Sequence, residues 1–225
     1  MHEQPKDEMN KILKVLFYVL TTAGVVLMVR LSLPYLAFQP EIDFLRTKIF
    51  AYQLWHWRLS FYVHVFTSTF VLIAGMLQFS RYVLLKRTRL HRASGYTYTA
   101  IVLLVSGPSG LVMGFYANGG LPARISFVLL ATLWLLFTTI AFILALKRQF
   151  ERHGAWMARS FALALSALTL RAYALSIGLL HLEITPAKAY VLIAWLSWTL
   201  NLVVAECWIR CGGVKRLMHQ YRPQS

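Results

Sequence analysis

Hydrophobic residues in this chain form six long continuous stretches and seldom alternate with polar ones. Each stretch is close to the ~20 residues that a helix needs to cross the hydrocarbon core of a bilayer. The stretches cover residues about 12–33, 59–80, 96–117, 125–146, 156–178 and 189–209, with ends defined to within ~2–4 residues. We therefore expect an all-α membrane protein with six transmembrane helices. Residues 1–225 are expected to form a single integral membrane domain, with helices 2–5 as a central four-helix bundle.

The third stretch carries an unusual group of small residues, Ser106-Gly107-Pro108-Ser109-Gly110, followed by Gly114. Pro108 has no N–H to donate to the preceding turn, so the sequence predicts a kink in this helix. Gly110 and Gly114 are one turn apart, a spacing that favours close packing against a neighbouring helix.

Basic residues are distributed unequally between the two sets of connections. Five lie on one side, at Arg46, Lys48, Arg58, Arg124 and Lys188. Fifteen lie on the other side, at Lys6, Lys11, Arg81, Lys86, Arg87, Arg89, Arg92, Lys147, Arg148, Arg152, Arg159, Arg210, Lys215, Arg216 and Arg222. Because the more basic side of a membrane protein faces the cytoplasm, both termini are expected there. The expected location is the cell inner membrane, crossed several times.

The amino-acid composition indicates a lipid bilayer, and not nucleic acid, as the partner of this chain. The chain is 58% hydrophobic and 14% charged, with a mean hydropathy of +0.58, so the lipid bilayer is its principal partner. The net charge of +15 does not indicate nucleic-acid binding, because the basic residues cluster between apolar stretches as topology signals do. Nothing in the sequence decides the oligomeric state.

Two histidines open helices on the cytoplasmic side. His91 precedes the third stretch and His153 precedes the fifth, at the same membrane depth. Two imidazoles on different helices at one depth are what a haem iron with two histidine ligands needs. Gly95, one turn after His91, leaves room for a flat ring, and Arg92 and Arg159 are candidates to pair with haem propionates. Plain anchoring at the interface, or another role with a quinone, a metal or protons, remains open.

Two polar residues lie within the apolar stretches near the outer side. His64 is ~8 Å inside the second helix and Arg171 ~10 Å inside the fifth. Ionisable side chains at such depth need a partner, so we expect the two to flank a pocket for a quinone headgroup or an acidic substrate. The alternative is that Arg171 extends outwards to the headgroups and His64 bonds a backbone carbonyl.

The stretch from about His64 to Arg171 resembles an uncharacterised bacterial family of predicted membrane proteins, domain of unknown function 2306. The resemblance covers about half the chain and implies membrane topology but no activity. The matching residues are His64, Gly75, Gln78, His91-Arg92-x-x-Gly95-x-x-Tyr98, His153-x-x-Trp156-Met157-x-Arg159 and Arg171.

The chain is also distantly similar to transmembrane b-type cytochromes that reduce ferric iron or pass on electrons from ascorbate or quinol. That resemblance implies six helices whose four central members hold haems through paired histidines. His91 and His153 correspond to one such pair. The fourth helix, Arg124–Leu146, contains no histidine, so no partner for His64 is found there.

The favoured hypothesis is a membrane redox protein that binds one haem b through His91 and His153, with His64 and Arg171 as a quinone or substrate pocket. A non-catalytic organising or sensing protein with structural histidines is the main alternative. A small-molecule permease is disfavoured, because no carboxylate lies in the middle of an apolar stretch. Hydrolase and nucleotide-binding motifs are missing from the sequence.

Overall fold

The computed structural model describes residues 5–181 and 183–218, and within these ranges the regular structure is entirely helical. Six helices are long and apolar enough to cross a membrane. Arg222, one of the basic residues counted above, lies outside the described residues. The six helices are α1 (Pro5–Ser32), α2 (Trp55–Gln78), α3 (Thr88–Phe115), α4 (Gly120–Leu146), α5 (Phe150–Leu179) and α6 (Pro186–Arg210).

The six spans predicted from hydropathy are confirmed as six helices, but α1, α3 and α5 begin at least six residues earlier than predicted. Hydropathy placed their starts at about residues 12, 96 and 156, whereas the helices begin at Pro5, Thr88 and Phe150. Their first turns are rich in charged side chains, which a hydropathy pattern counts as loop although they form a helix readily. His91 and His153 therefore lie inside helices.

The connection between α1 and α2 is a folded segment. It contains two short 3₁₀ helices, Leu33–Ala37 and Asp43–Lys48, and a short α-helix, Ile49–Gln53. Leu45 is fully buried there, against the first turns of α2. Phe61 of α2 stacks on Phe44 of the segment, with ring centroids 6.1 Å apart, and meets Tyr35 edge-on at 5.0 Å. These aromatic contacts hold the segment against the end of the helix.

A π-helical turn interrupts α3 where the sequence predicted a kink. Residues Val102–Ser106 form this turn, and the N–H of Gly107 donates to the carbonyl of Val102, five residues back. Because Pro108 cannot donate to the preceding turn, the helix widens here before it resumes at Gly107.

Glycines let the helices approach closely. A Cβ at Gly114 would lie 3.2 Å from the backbone of α4, and one at Gly75 would lie 2.2 Å from the Phe161 ring of α5. The first of these contacts confirms the expected tight packing around Gly114. Toward the exterior the helices present apolar side chains such as Leu104 and Val204, which are 77% and 69% exposed, as lipid contact requires.

Candidate functional site

His91 and His153 occupy equivalent positions in two helices. Each is the fourth residue of its helix, in α3 and α5 respectively. In each helix the backbone N–H of the histidine makes the hydrogen bond that closes the first turn. His91 donates to the carbonyl of Arg87 at 3.0 Å, and His153 donates to the carbonyl of Gln149 at 2.8 Å. The two histidines therefore have the same position relative to the start of their helices.

A buried hydrogen bond joins α3 to α5 below these histidines. The hydroxyl of Tyr98 lies 2.8 Å from the Oγ of Ser160, and neither residue is exposed to solvent. Tyr98 follows His91 by seven residues and Ser160 follows His153 by seven. Seven residues make almost two full turns, so each histidine lies on the same face as the hydroxyl below it, about 10 Å away along the axis. The faces of α3 and α5 that carry the histidines are thus turned toward each other.

The same network extends into α4. Thr138 Oγ1 lies 2.7 Å from Ser160 Oγ, and the indole N–H of Trp134 donates to the Tyr98 hydroxyl at 3.3 Å. Interhelical hydrogen bonds of this kind contribute about 0.6 kcal/mol each in membranes. Tyr98 belongs to the residue pattern quoted above, but its partner Ser160 was missed, because a serine in an apolar helix gives no distinctive signal.

The ring nitrogens of the two histidines are in different environments. Nδ1 of His153 lies 2.8 Å from the carbonyl oxygen of Ala141. A carbonyl only accepts hydrogen bonds, so this contact assigns the proton to Nδ1 and leaves the lone pair on Nε2. Nδ1 of His91 is buried and has no hydrogen-bond partner among the described residues. The two rings are close enough to interact electrostatically.

Two residues assigned to this site from the sequence have other partners in the structure. Arg159 binds Oε2 of Glu206 through Nε at 3.0 Å and Nη2 at 2.8 Å, so it is paired with a carboxylate of α6, which also binds Arg210. A Cβ at Gly95 would lie 3.2 Å from Oε1 of Gln78, so the small face of this glycine accommodates α2. Arg92 remains exposed.

The outer histidine is bonded to the irregular part of α3. Nδ1 of His64 lies 2.8 Å from the carbonyl oxygen of Ser106, the last residue of the π-helical turn. A Cβ at Gly110 would lie 3.0 Å from the imidazole, so this glycine makes room for the ring. A second hydrogen bond joins α2 to the same serine, because Oγ1 of Thr67 lies 2.8 Å from Oγ of Ser106. The carbonyl partner expected in the alternative hypothesis is therefore present.

Arg171 lies near His64 without a hydrogen bond to it among the described residues. Its Nη1 donates to the carbonyl of Ala167, one turn back in α5, at 2.9 Å. The guanidinium is within electrostatic range of both His64 and Tyr35. Each of the two candidate pocket residues thus has a backbone carbonyl as its hydrogen-bond partner.

The described residues contain no group of three or more histidine, cysteine, aspartate or glutamate side chains arranged to hold a metal ion. A metal held by protein ligands alone is therefore not indicated in this part of the chain. A haem iron with both axial positions filled takes two ligands from the protein, and His91 and His153 are two imidazoles.

These features define a multi-pass helical membrane protein with polar groups buried between its helices. A family model described as "Predicted membrane protein (DUF2306)" matches residues 61–209, from the second helix to the end of the sixth. The chain belongs to this family. Comparisons with curated proteins and with solved structures each found no match. The similarity to b-type cytochromes therefore has no support from the comparisons.

Proposed function

We propose that this protein is a redox protein of the cell inner membrane that binds one haem b between α3 and α5. The observation that carries the proposal is the Tyr98–Ser160 hydrogen bond of 2.8 Å. Because of this bond, the two helix faces that carry Tyr98 and Ser160 are turned toward each other. His91 and His153 lie on the same faces, about two turns nearer the start of each helix.

The donor atoms fit this assignment. His153, with its Nδ1–H directed at Ala141, has the orientation typical of a metal-bound histidine, whose second nitrogen donates to a carbonyl. Nδ1 of His91 is buried and has no partner in the part of the chain that the structure describes, and this costs free energy unless the ring binds a ligand. Of the basic residues considered, exposed Arg92 is the one we assign to the propionates, because Arg159 is paired with Glu206.

When bound, haem b supplies reversible transfer of one electron. The side chains of Tyr98, Trp134 and Thr138 are buried and belong to a hydrogen-bonded layer below the histidines. Because these side chains are buried, we expect them to keep water from the histidine rings on that side. Our candidate electron donor is a quinol, which releases two electrons and two protons when it is oxidised to the quinone. A one-electron acceptor outside this chain takes up these electrons.

The absorption spectrum of the purified protein tests this proposal. Protein isolated in detergent from haem-replete cells should show a Soret band, and sharp bands in the visible range after reduction by dithionite. A colourless preparation would refute haem binding. It would favour a non-catalytic organising or sensing protein, a class that the carbonyl-bonded His64 and His153 also fit.

The proposal includes an orientation, with both termini cytoplasmic and α2–α5 as the central bundle. Reporter fusions after Lys86 and Arg152 are expected to read cytoplasmic, and fusions near Asp43 and Asn118 external. The reason is that the connections on the side of Lys86 and Arg152 carry more basic residues than those on the side of Asp43 and Asn118. A cytoplasmic result near Asn118 would show the opposite orientation.

We also propose that His64 and Arg171 flank a binding site for a quinone headgroup or an acidic substrate. Replacing Arg171 by leucine is expected to weaken quinol oxidation at least tenfold while leaving the haem spectrum unchanged, since a lost charged hydrogen bond costs about 1.5–3 kcal/mol. Arg171→Lys should restore activity only in part, because lysine lacks the planar fork. Unchanged turnover in Arg171→Leu would exclude Arg171 from the site.

A further inference from the structure

A buried lysine lies at the end of the protein opposite the histidine pair. Lys48, in the connection between α1 and α2, is only 5% exposed. Its Nζ donates to the carbonyl of Tyr116 and, at 2.7 Å, to Oδ1 of Asn118. Both acceptors are uncharged, and no carboxylate pairs with Lys48 within residues 5–181 and 183–218. Lys48 is thus largely removed from water, with no counter-charge in the described part of the chain.

A second cation lies at the same place. Lys48 and Arg124 line one open cleft of about 510 Å³, together with Thr47, Asn118 and the backbone of Gly119 and Gly120. Burial, and then the charge of Arg124, lower the pKa of Lys48 to about 8. Two positive charges that share a cleft destabilise each other unless an anion lies between them.

Backbone groups add to the positive character of the cleft. Gly119 and Gly120 have φ of +80° and +73°, a conformation that allows α4 to start abruptly at this point. The positive end of the α4 dipole therefore lies beside the two cations. Asn118 is held by Thr47, to which its Nδ2 donates at 3.1 Å, so its Oδ1 stays directed at Lys48.

We propose that this cleft binds an oxyanion, a phosphate or carboxylate group, between Lys48 and Arg124. The neighbouring side chains indicate where the anion comes from. Ile49 and Phe50 follow Lys48 directly and are 71% and 80% exposed, as apolar side chains that dip into a bilayer would be. The cleft consequently lies at the level of the lipid headgroups, and the phosphate of an anionic phospholipid or a dissolved anion can reach it.

The test compares variants that lose one charge each. Lys48→Met and Arg124→Gln remove the two cations of the cleft, whereas Lys188→Met removes an exposed cation from the same face of the protein. Binding of inorganic phosphate is measured by titration calorimetry in neutral detergent. Lys48→Met and Arg124→Gln are each expected to weaken binding at least tenfold, since a charged hydrogen bond is lost in each. Lys188→Met should bind like the wild type.

A second measurement separates the two sources of the anion. Native mass spectrometry follows retention of phosphatidylglycerol, with phosphatidylcholine as the uncharged comparison. Phosphatidylglycerol retained by the wild type and lost from the variants would identify a headgroup site, and phosphate binding alone would identify a site for dissolved anions. The absence of binding by both probes, or equal binding by wild type and both cleft variants, would overturn the proposal. Arg124 is exposed, so Arg124→Gln keeps the test valid if Lys48→Met fails to fold.

Discussion

Replacing either His91 or His153 by alanine is expected to abolish the Soret band of the purified protein. A six-coordinate haem iron needs both axial nitrogens, and the two histidines stand on different helices, so neither can replace the other. The amount of protein in the membrane should remain close to that of the wild type, because alanine is favourable in the first turn of a helix. The measurements are the visible spectrum, the haem content by the pyridine haemochrome method, and an immunoblot of membranes.

His181→Ala is the matched control for the haem experiment. His181 is exposed and follows the end of α5, at the opposite end of that helix from His153. The control should keep the full haem content. If His91→Ala and His153→Ala retained an unchanged spectrum, haem ligation by this pair would be excluded, and the outer histidine would become the candidate.

Replacing Gly75 by alanine is expected to destabilise the protein by about 1–3 kcal/mol, the usual cost of overpacking a filled core. The new Cβ would lie 2.2 Å from Cε2 of Phe161. That ring is itself confined, because it stacks on Phe79 with centroids 5.4 Å apart and is only 3% exposed. Thermal unfolding in detergent, followed by circular dichroism, measures the effect.

Gly178→Ala is the control for this substitution, because among the described residues no atom beyond its own helical turn and chain neighbours lies within 4 Å of the added Cβ. It should leave stability unchanged or raise it slightly, since alanine favours a helix over glycine. Phe161→Leu should reduce the cost of Gly75→Ala when the two changes are combined, since contacting residues are not additive. Equal stability of the Gly75→Ala and Gly178→Ala variants would contradict the close packing of α2 on α5.

The six helices and the positions of the histidines followed from local properties of the sequence. A bilayer demands long apolar segments, and this demand can be read from residue type alone. His91 and His153 could be recognised as equivalent because each follows a basic connection and precedes an apolar stretch. The starts of α3 and α5 were placed too late, because their charged first turns are helical without being apolar.

Tertiary structure alone decided which side chains meet. Arg159 was expected at a haem but binds Glu206, 47 residues away, and Gly95 was expected to admit a ring but faces Gln78. Lys48 and Asn118 meet in one cleft although they are 70 positions apart, and nothing in the sequence indicated this contact. Hydropathy determines that a helix crosses the membrane, but not its rotation about its own axis or its neighbours. Those depend on interhelical packing and hydrogen bonds, which residues distant in the sequence make jointly.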